Sequence, residues 1–146
     1  MASGRNETLA ILKYHFVWRT MGKEPVLQDA IKHRTRELIR QGCDFKKITI
    51  LRGIVNPSYV CISLSCGAGH APSKVAQMLK GRTSKMLSDE FPGQIKKNLW
   101  EEGYLCLTFS ELDEEEVASI IARYIKSGFQ PQPLADFSRI PDKTSE

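Results

Sequence analysis

The run Asn56-Pro57-Ser58-Tyr59-Val60-Cys61-Ile62-Ser63-Leu64-Ser65-Cys66 constrains this chain more than any other stretch. Asn-Pro-Ser is turn chemistry, and the alternation that follows is the signature of a strand with two unlike faces. Val60, Ile62, Leu64 and Cys66 fall on one face and belong against a helix layer; Tyr59, Cys61, Ser63 and Ser65 fall on the other. Tyr59 and Cys61 stand at i and i+2, the spacing at which two side chains of one strand converge on a common ion or ligand.

Residues 9–20 also alternate, with Ala10, Leu12, Tyr14, Phe16 and Trp18 on an apolar face and Lys13, His15 and Arg19 on the other, which predicts a long first strand. Pro25 is placed to open a helix with Leu27, Ile31, Leu38 and Ile39 as its stripe, a stop near Gly42, and His33, Arg34, Arg36 and Arg40 on its wet side. Lys46 to Val55 gives a second strand, which the Asn-Pro-Ser turn joins to the third as a hairpin at the centre of the sheet. Pro72 opens a helix carrying Val75, Met78 and Leu79; Gly81 is placed to bend it before Met86 and Leu87 resume the stripe. Leu99-Trp100 and Gly103 to Phe109 supply a fourth strand. Asp113 with Glu116 resembles a capping box for a last helix with Val117, Ile120, Ile121, Tyr124 and Ile125 inward, ending at Gly128.

The order β-α-β-β-α-β-α predicts an α/β (α+β) fold: a ferredoxin-like split β-α-β antiparallel sheet, helices on one face, and an added C-terminal helix. That architecture serves many functions and selects none. With 146 residues, 41% hydrophobic and 26% charged, the expectation is one domain over residues 1–128, followed by a Pro-rich tail over 129–146. No apolar run reaches the ~20 residues that span a bilayer, and the start lacks a secretory apolar core, so the expected location is cytoplasmic with no membrane partner. The 4 cysteines form no CxxC pair and read as reduced thiols. A zinc site from Cys61, Cys66 and His70 is disfavoured, because the two cysteines point to opposite faces of one strand.

Within a net charge of +4, cations concentrate from Pro72 to Leu99, where Lys74, Lys80, Arg82, Lys85, Lys96 and Lys97 outweigh Asp89 and Glu90. Such a patch reads either as a nucleic-acid surface or as a solvated face.

The segments Leu12-Lys13-Tyr14-His15-Phe16-Val17-Trp18, Pro25-Val26-Leu27, Pro57 to Leu64, Leu79-Lys80-Gly81-Arg82-Thr83-Ser84, Phe91-Pro92, Leu99-Trp100 with Gly103-Tyr104, and Ala122-Arg123-Tyr124-Ile125 share an order and spacing. In both, the chain resembles the small single-strand DNA transposases of bacterial insertion sequences, the single-tyrosine members of the His-hydrophobic-His class, over roughly residues 9–128. The resemblance implies a homodimer that binds hairpin-bearing single-stranded DNA. In that family two histidines on the central strand hold Mg²⁺ or Mn²⁺ against the scissile phosphate. A tyrosine of the partner subunit's last helix attacks to form a phosphotyrosine link, and an amide one turn further completes the metal shell. A phenol of pKa ~10 is a poor nucleophile at neutral pH, so the metal carries much of that chemistry.

The sequence departs from the pattern at those ligands: Tyr59 and Cys61 occupy the histidine positions and Gly128 the amide position, while Tyr124 keeps the nucleophile position. A thiol is too soft for Mg²⁺ or Mn²⁺ and an un-ionised phenol is a poor donor, so the expectation is no cofactor. The resulting expectation is a transposase-like DNA-binding protein without nicking and strand transfer. Its DNA surface would be Lys80, Arg82, Thr83, Ser84 and Lys85, presented by a bent helix end, with Arg19 and Arg52 as additions. The alternative is an active tyrosine transposase with an altered metal site that links to DNA through Tyr124. An RNA-binding ferredoxin-like module is opposed by the lack of its Gly-aromatic strand pattern; a decayed product that only folds stays open.

Overall fold

The computed structural model describes residues 11–95, 98–108 and 114–127. It contains β1 (Leu12–Arg19), α1 (Asp29–Phe45), β2 (Thr49–Asn56), β3 (Tyr59–Cys66), α2 (Pro72–Glu90), β4 (Leu105–Thr108) and α3 (Glu114–Ser127), the expected order. All pairings are antiparallel, and the strands lie in the order β2-β3-β1-β4, a four-stranded α+β fold. The tail over 129–146, Gly128, Lys96, Lys97, Phe109 and Asp113 lie outside the described residues.

The hairpin does not sit at the centre of the sheet, as expected, but at one side with β2 on the edge. Centrality belongs to β1 and β3, because β1 is paired along both edges, by β3 and by β4. On β2 the ladder slips between Ile50 and Arg52, so Leu51 is an extra residue in a β-bulge.

One face of the sheet carries Tyr14, Phe16 and Trp18 from β1 and Val60, Ile62, Leu64 and Cys66 from β3, packed with Ile31, Leu38 and Ile39 of α1 and Val75, Leu79 and Leu87 of α2. Trp18 meets Trp100 edge-to-face, ring centroids 5.9 Å apart. Each fully buried aliphatic or aromatic side chain here contributes roughly 1.5–3 kcal/mol, so this layer dominates the stability.

Three local expectations give way to packing. Pro25 does not open α1, which starts at Asp29: the Leu27 N–H donates to the Pro57 carbonyl at 3.0 Å, which ties the segment before the helix to the hairpin turn while Leu27 enters the core. Gly42 does not stop α1, which runs on past it to Phe45; a Cβ there would stand 3.1 Å from both Arg82 Cδ and Met78 Sδ, so the missing side chain lets α2 pack close against α1 at this point. Gly81 does not bend α2, which is continuous from Pro72 to Glu90, and a Cβ at Gly81 would meet nothing within 4 Å.

The helices are not all on one face. Helix α3 contacts β1 and β4, and its buried residues Val117 and Tyr124 belong to no part of the main core. The second face of β1, which carries the polar residues of the alternation, is accordingly buried: His15 is 6% exposed, Val17 0% and Arg19 8%. The capping-box residue Asp113 is outside the described residues, and the helix is described from Glu114.

Candidate functional site

The register of β1 against β3 assembles the second face. Arg19 stands opposite Tyr59, Val17 opposite Cys61 and His15 opposite Ser63, while β2 sets Ile54 opposite Cys61 and Arg52 opposite Ser63 on the other side. His15 Nδ1 and Ser63 Oγ are 2.7 Å apart, a buried hydrogen bond. Burial, with the Arg52 charge second, lowers the His15 pKa and favours the neutral ring. Burial likewise pushes the Cys61 thiol up, against a smaller opposing pull from Arg52.

Tyr124 comes to this face from α3. It is 7% exposed, and burial raises its pKa, opposed by Arg19 and reinforced by Glu101. Arg19 is the strut of the arrangement: Nε and Nη2 donate to Glu101 Oε1 at 2.9 and 2.6 Å, and Nη1 donates to the Ile125 carbonyl at 3.4 Å. Lys23 Nζ donates to the next carbonyl, Lys126, at 3.1 Å, so two cations sit at the negative end of α3. With its fork occupied and its side chain buried, Arg19 serves α3 rather than a phosphate.

The donor set does not fit a hard divalent ion. Cys61 is a soft thiol held protonated by burial, Tyr59 is a phenol, and Gly128 has no side chain to give. His15, the imidazole of this face, is on β1 and engaged with Ser63. Among the described residues no three His, Cys, Asp or Glu side chains are grouped so as to hold a metal. His70 lies in the loop after β3, and Cys66 points into the core away from Cys61, which removes the drawn zinc site.

The segment 80–85 is built differently from expectation. Lys80 Nζ donates to the Glu101 and Gly103 carbonyls, both at 2.8 Å, and burial lowers its pKa. Arg82 Nε donates to the Leu38 carbonyl at 3.1 Å and Nη2 to Gln41 Oε1 at 3.0 Å, tying α2 to α1. Thr83 is 0% exposed; its hydroxyl donates to the Leu79 carbonyl at 2.8 Å and accepts from Trp100 Nε1 at 2.9 Å. A continuous helix also leaves no free N–H groups at this point, so Thr83 and the bent helix end drop out as phosphate contacts. Ser84 lines a shallow groove with Gln77, Asn98 and Tyr104, and Lys85 is exposed beside Asp89 at 3.2 Å. Arg52 is exposed on β2.

Sequence reading missed His15 and Ser63 as a pair, since neither strand announces its partner. The available signal was the apolar stripe of α3, which needs a second sheet face to cover.

A family model described as IS200-like transposase matches residues 8–128. Among solved structures, a candidate transposase from Deinococcus radiodurans R1 superposes with a TM-score of 0.73 at 24% identity, covering 85% of this chain and 95% of that one. A REP-associated tyrosine transposase bound to a REP hairpin superposes with a TM-score of 0.57 at 10% identity, covering 95% of this chain and 93% of that one. At these identities the likeness is one of fold. No curated protein matches the chain. No helix among the described residues is long and apolar enough to cross a membrane.

Proposed function

The chain belongs to the IS200-like transposase family, and from that premise we propose that it is a DNA-binding protein of transposase type that has lost metal-dependent nicking and strand transfer. The observation that carries the reading is the second face of β3. Where the resemblance requires two metal-binding histidines, the strand presents Tyr59 and a Cys61 thiol whose ionisation is opposed by burial. Tyr124, at the nucleophile position, is packed under α3 with its phenol pKa raised. Both groups at the reacting centre are thus held in their unreactive forms.

Its ligand is hairpin-bearing single-stranded DNA. The related fold of the REP-associated tyrosine transposase, which was solved with a REP hairpin, supports this choice. The working form is a homodimer of the domain over 1–128, with 129–146 as an appended tail, acting in the cytoplasm.

The test is a pair of gels on one set of mixtures: the protein, Mg²⁺ or Mn²⁺, and labelled single-stranded hairpins from the DNA flanking its gene. Retardation on the native gel with no protein-linked band on the denaturing gel is the expected result. A covalent band that Tyr124→Phe abolishes would overturn the loss of activity and establish the active transposase instead.

A further inference from the structure

The two helices of the main layer deploy their positive charge differently, although α1 also holds Arg34 in ion pairs and α2 also carries the exposed Lys74. On α2, Lys80, Arg82 and Lys85 each have an intramolecular partner. On α1, Lys32, Arg36 and Arg40 follow at four-residue steps, so they form one row that rises about 6 Å per step. All three are exposed, and among the described residues none has a hydrogen bond or ion pair. Asp29 and Asp44 bracket the row at i−3 and i+4 without forming an ion pair with it among the described residues, Glu37 is turned to Arg34 at 3.1 Å, and Arg34 is held in turn by Glu90 at 2.7 Å.

The row also borders a cavity. Arg36 and Arg40, with Lys47 from the turn that follows α1, line a cleft of about 670 Å³ between α1 and β2, over an apolar floor that includes Ile39, Ile48 and Val60. Asp44 is the one acid among its lining residues. Like charges at i, i+4 destabilise an isolated helix, whereas a solvated helix face ordinarily mixes signs, as Lys85 and Asp89 do on α2. A row of evenly spaced cations without ion-pair partners suits a polyanion with evenly spaced charges.

We propose that Lys32, Arg36 and Arg40, with Lys47 from the turn after α1, form the surface that binds the phosphate backbone of DNA, in place of the α2 segment. The inference rests on the DNA-binding reading above and gives it a location. Neutralising phosphates releases counterions, so each contact adds about 0.7 to 0.9 to the steepness of log K against log salt.

The experiment is a salt titration of binding by fluorescence anisotropy, using the full chain and a fluorescein-labelled hairpin oligonucleotide with single-stranded flanks. The variant Lys32→Gln/Arg36→Gln/Arg40→Gln should flatten the slope by about 2 to 3, and Lys47→Gln alone by nearly 1, while Lys85→Gln keeps the wild-type slope. Thermal melting of each variant checks that these exposed substitutions leave the fold in place. A wild-type slope in the triple variant, or a slope lowered by Lys85→Gln instead, overturns the α1 surface while leaving DNA binding intact. If wild-type protein binds no hairpin at any salt, the DNA-binding reading itself fails and the surface with it.

Discussion

At β1 the two faces of the sheet are both buried, yet they are built from different materials. One is a continuous aliphatic and aromatic layer under α1 and α2; the other, under α3, holds His15 against Ser63, Arg19 against Glu101, and Tyr124 beside Arg19. The first gains stability by removing apolar area from water, a non-directional effect that tolerates small shifts. The second relies on hydrogen bonds and charge pairs, whose net contribution is small and whose loss strands a partner. A face of that kind specifies geometry more than it supplies stability.

The contrast predicts a graded series. Leu64→Ala, on the first face and 0% exposed, should cost about 2–5 kcal/mol in urea unfolding. Arg19→Met should cost less, about 1–3 kcal/mol, because Glu101 keeps some access to water; a loss as large as that of Leu64→Ala would break the distinction between the faces. A smaller effect should come from acid. The His15 pKa is lowered from its ordinary value of 6.5, so its contribution is present above pH 6.5 and is lost as pH falls through the depressed folded value. His15→Gln should therefore flatten the fall in melting temperature on the acid side of 6.5. Smallest of all, Tyr124→Phe should leave stability within about 1 kcal/mol, since no hydrogen bond from the phenol holds the fold among the described contacts.

Much of the fold was legible because its elements announce themselves by period. The alternation of 59–66 and the stripes of α1 and α3 appear where expected, and the chain order follows from them. The lateral order of the strands was not legible: the alternation of β1 says that it has two faces but not that both its edges are paired. The ends of α1 and the straightness of α2 were misread for a related reason. Local propensity at Pro25, Gly42 and Gly81 is worth about 1 kcal/mol at the glycines, less than the core contacts of Leu27 and of the α1–α2 interface.

Of the candidate site, Tyr59, Cys61 and Tyr124 could be placed from sequence because the strand and helix that carry them could be. The cations could not be sorted. Lys80 and Arg82 look like surface charge, but Lys80 supplies donors to the loop carbonyls of Glu101 and Gly103, and Arg82 spends its fork on the α1 carbonyl of Leu38 and the side chain of Gln41. Charge in a sequence counts cations, whereas charge available to a ligand counts those left over after such needs are met.

The bulge at Leu51 bears on how the molecule behaves in a crowded solution. Edge strand β2 presents eight residues of backbone, with Leu51 45% and Ile54 60% exposed, to whatever passes. A flat edge of that length and apolarity would template indiscriminate strand addition and draw copies into aggregates. The inserted residue kinks the strand and breaks the even run of donors and acceptors, so an incoming strand finds no continuous ladder along β2. By this argument the irregularity protects the edge, and regularising it by deleting Leu51 would leave an even, apolar ladder open to strand addition.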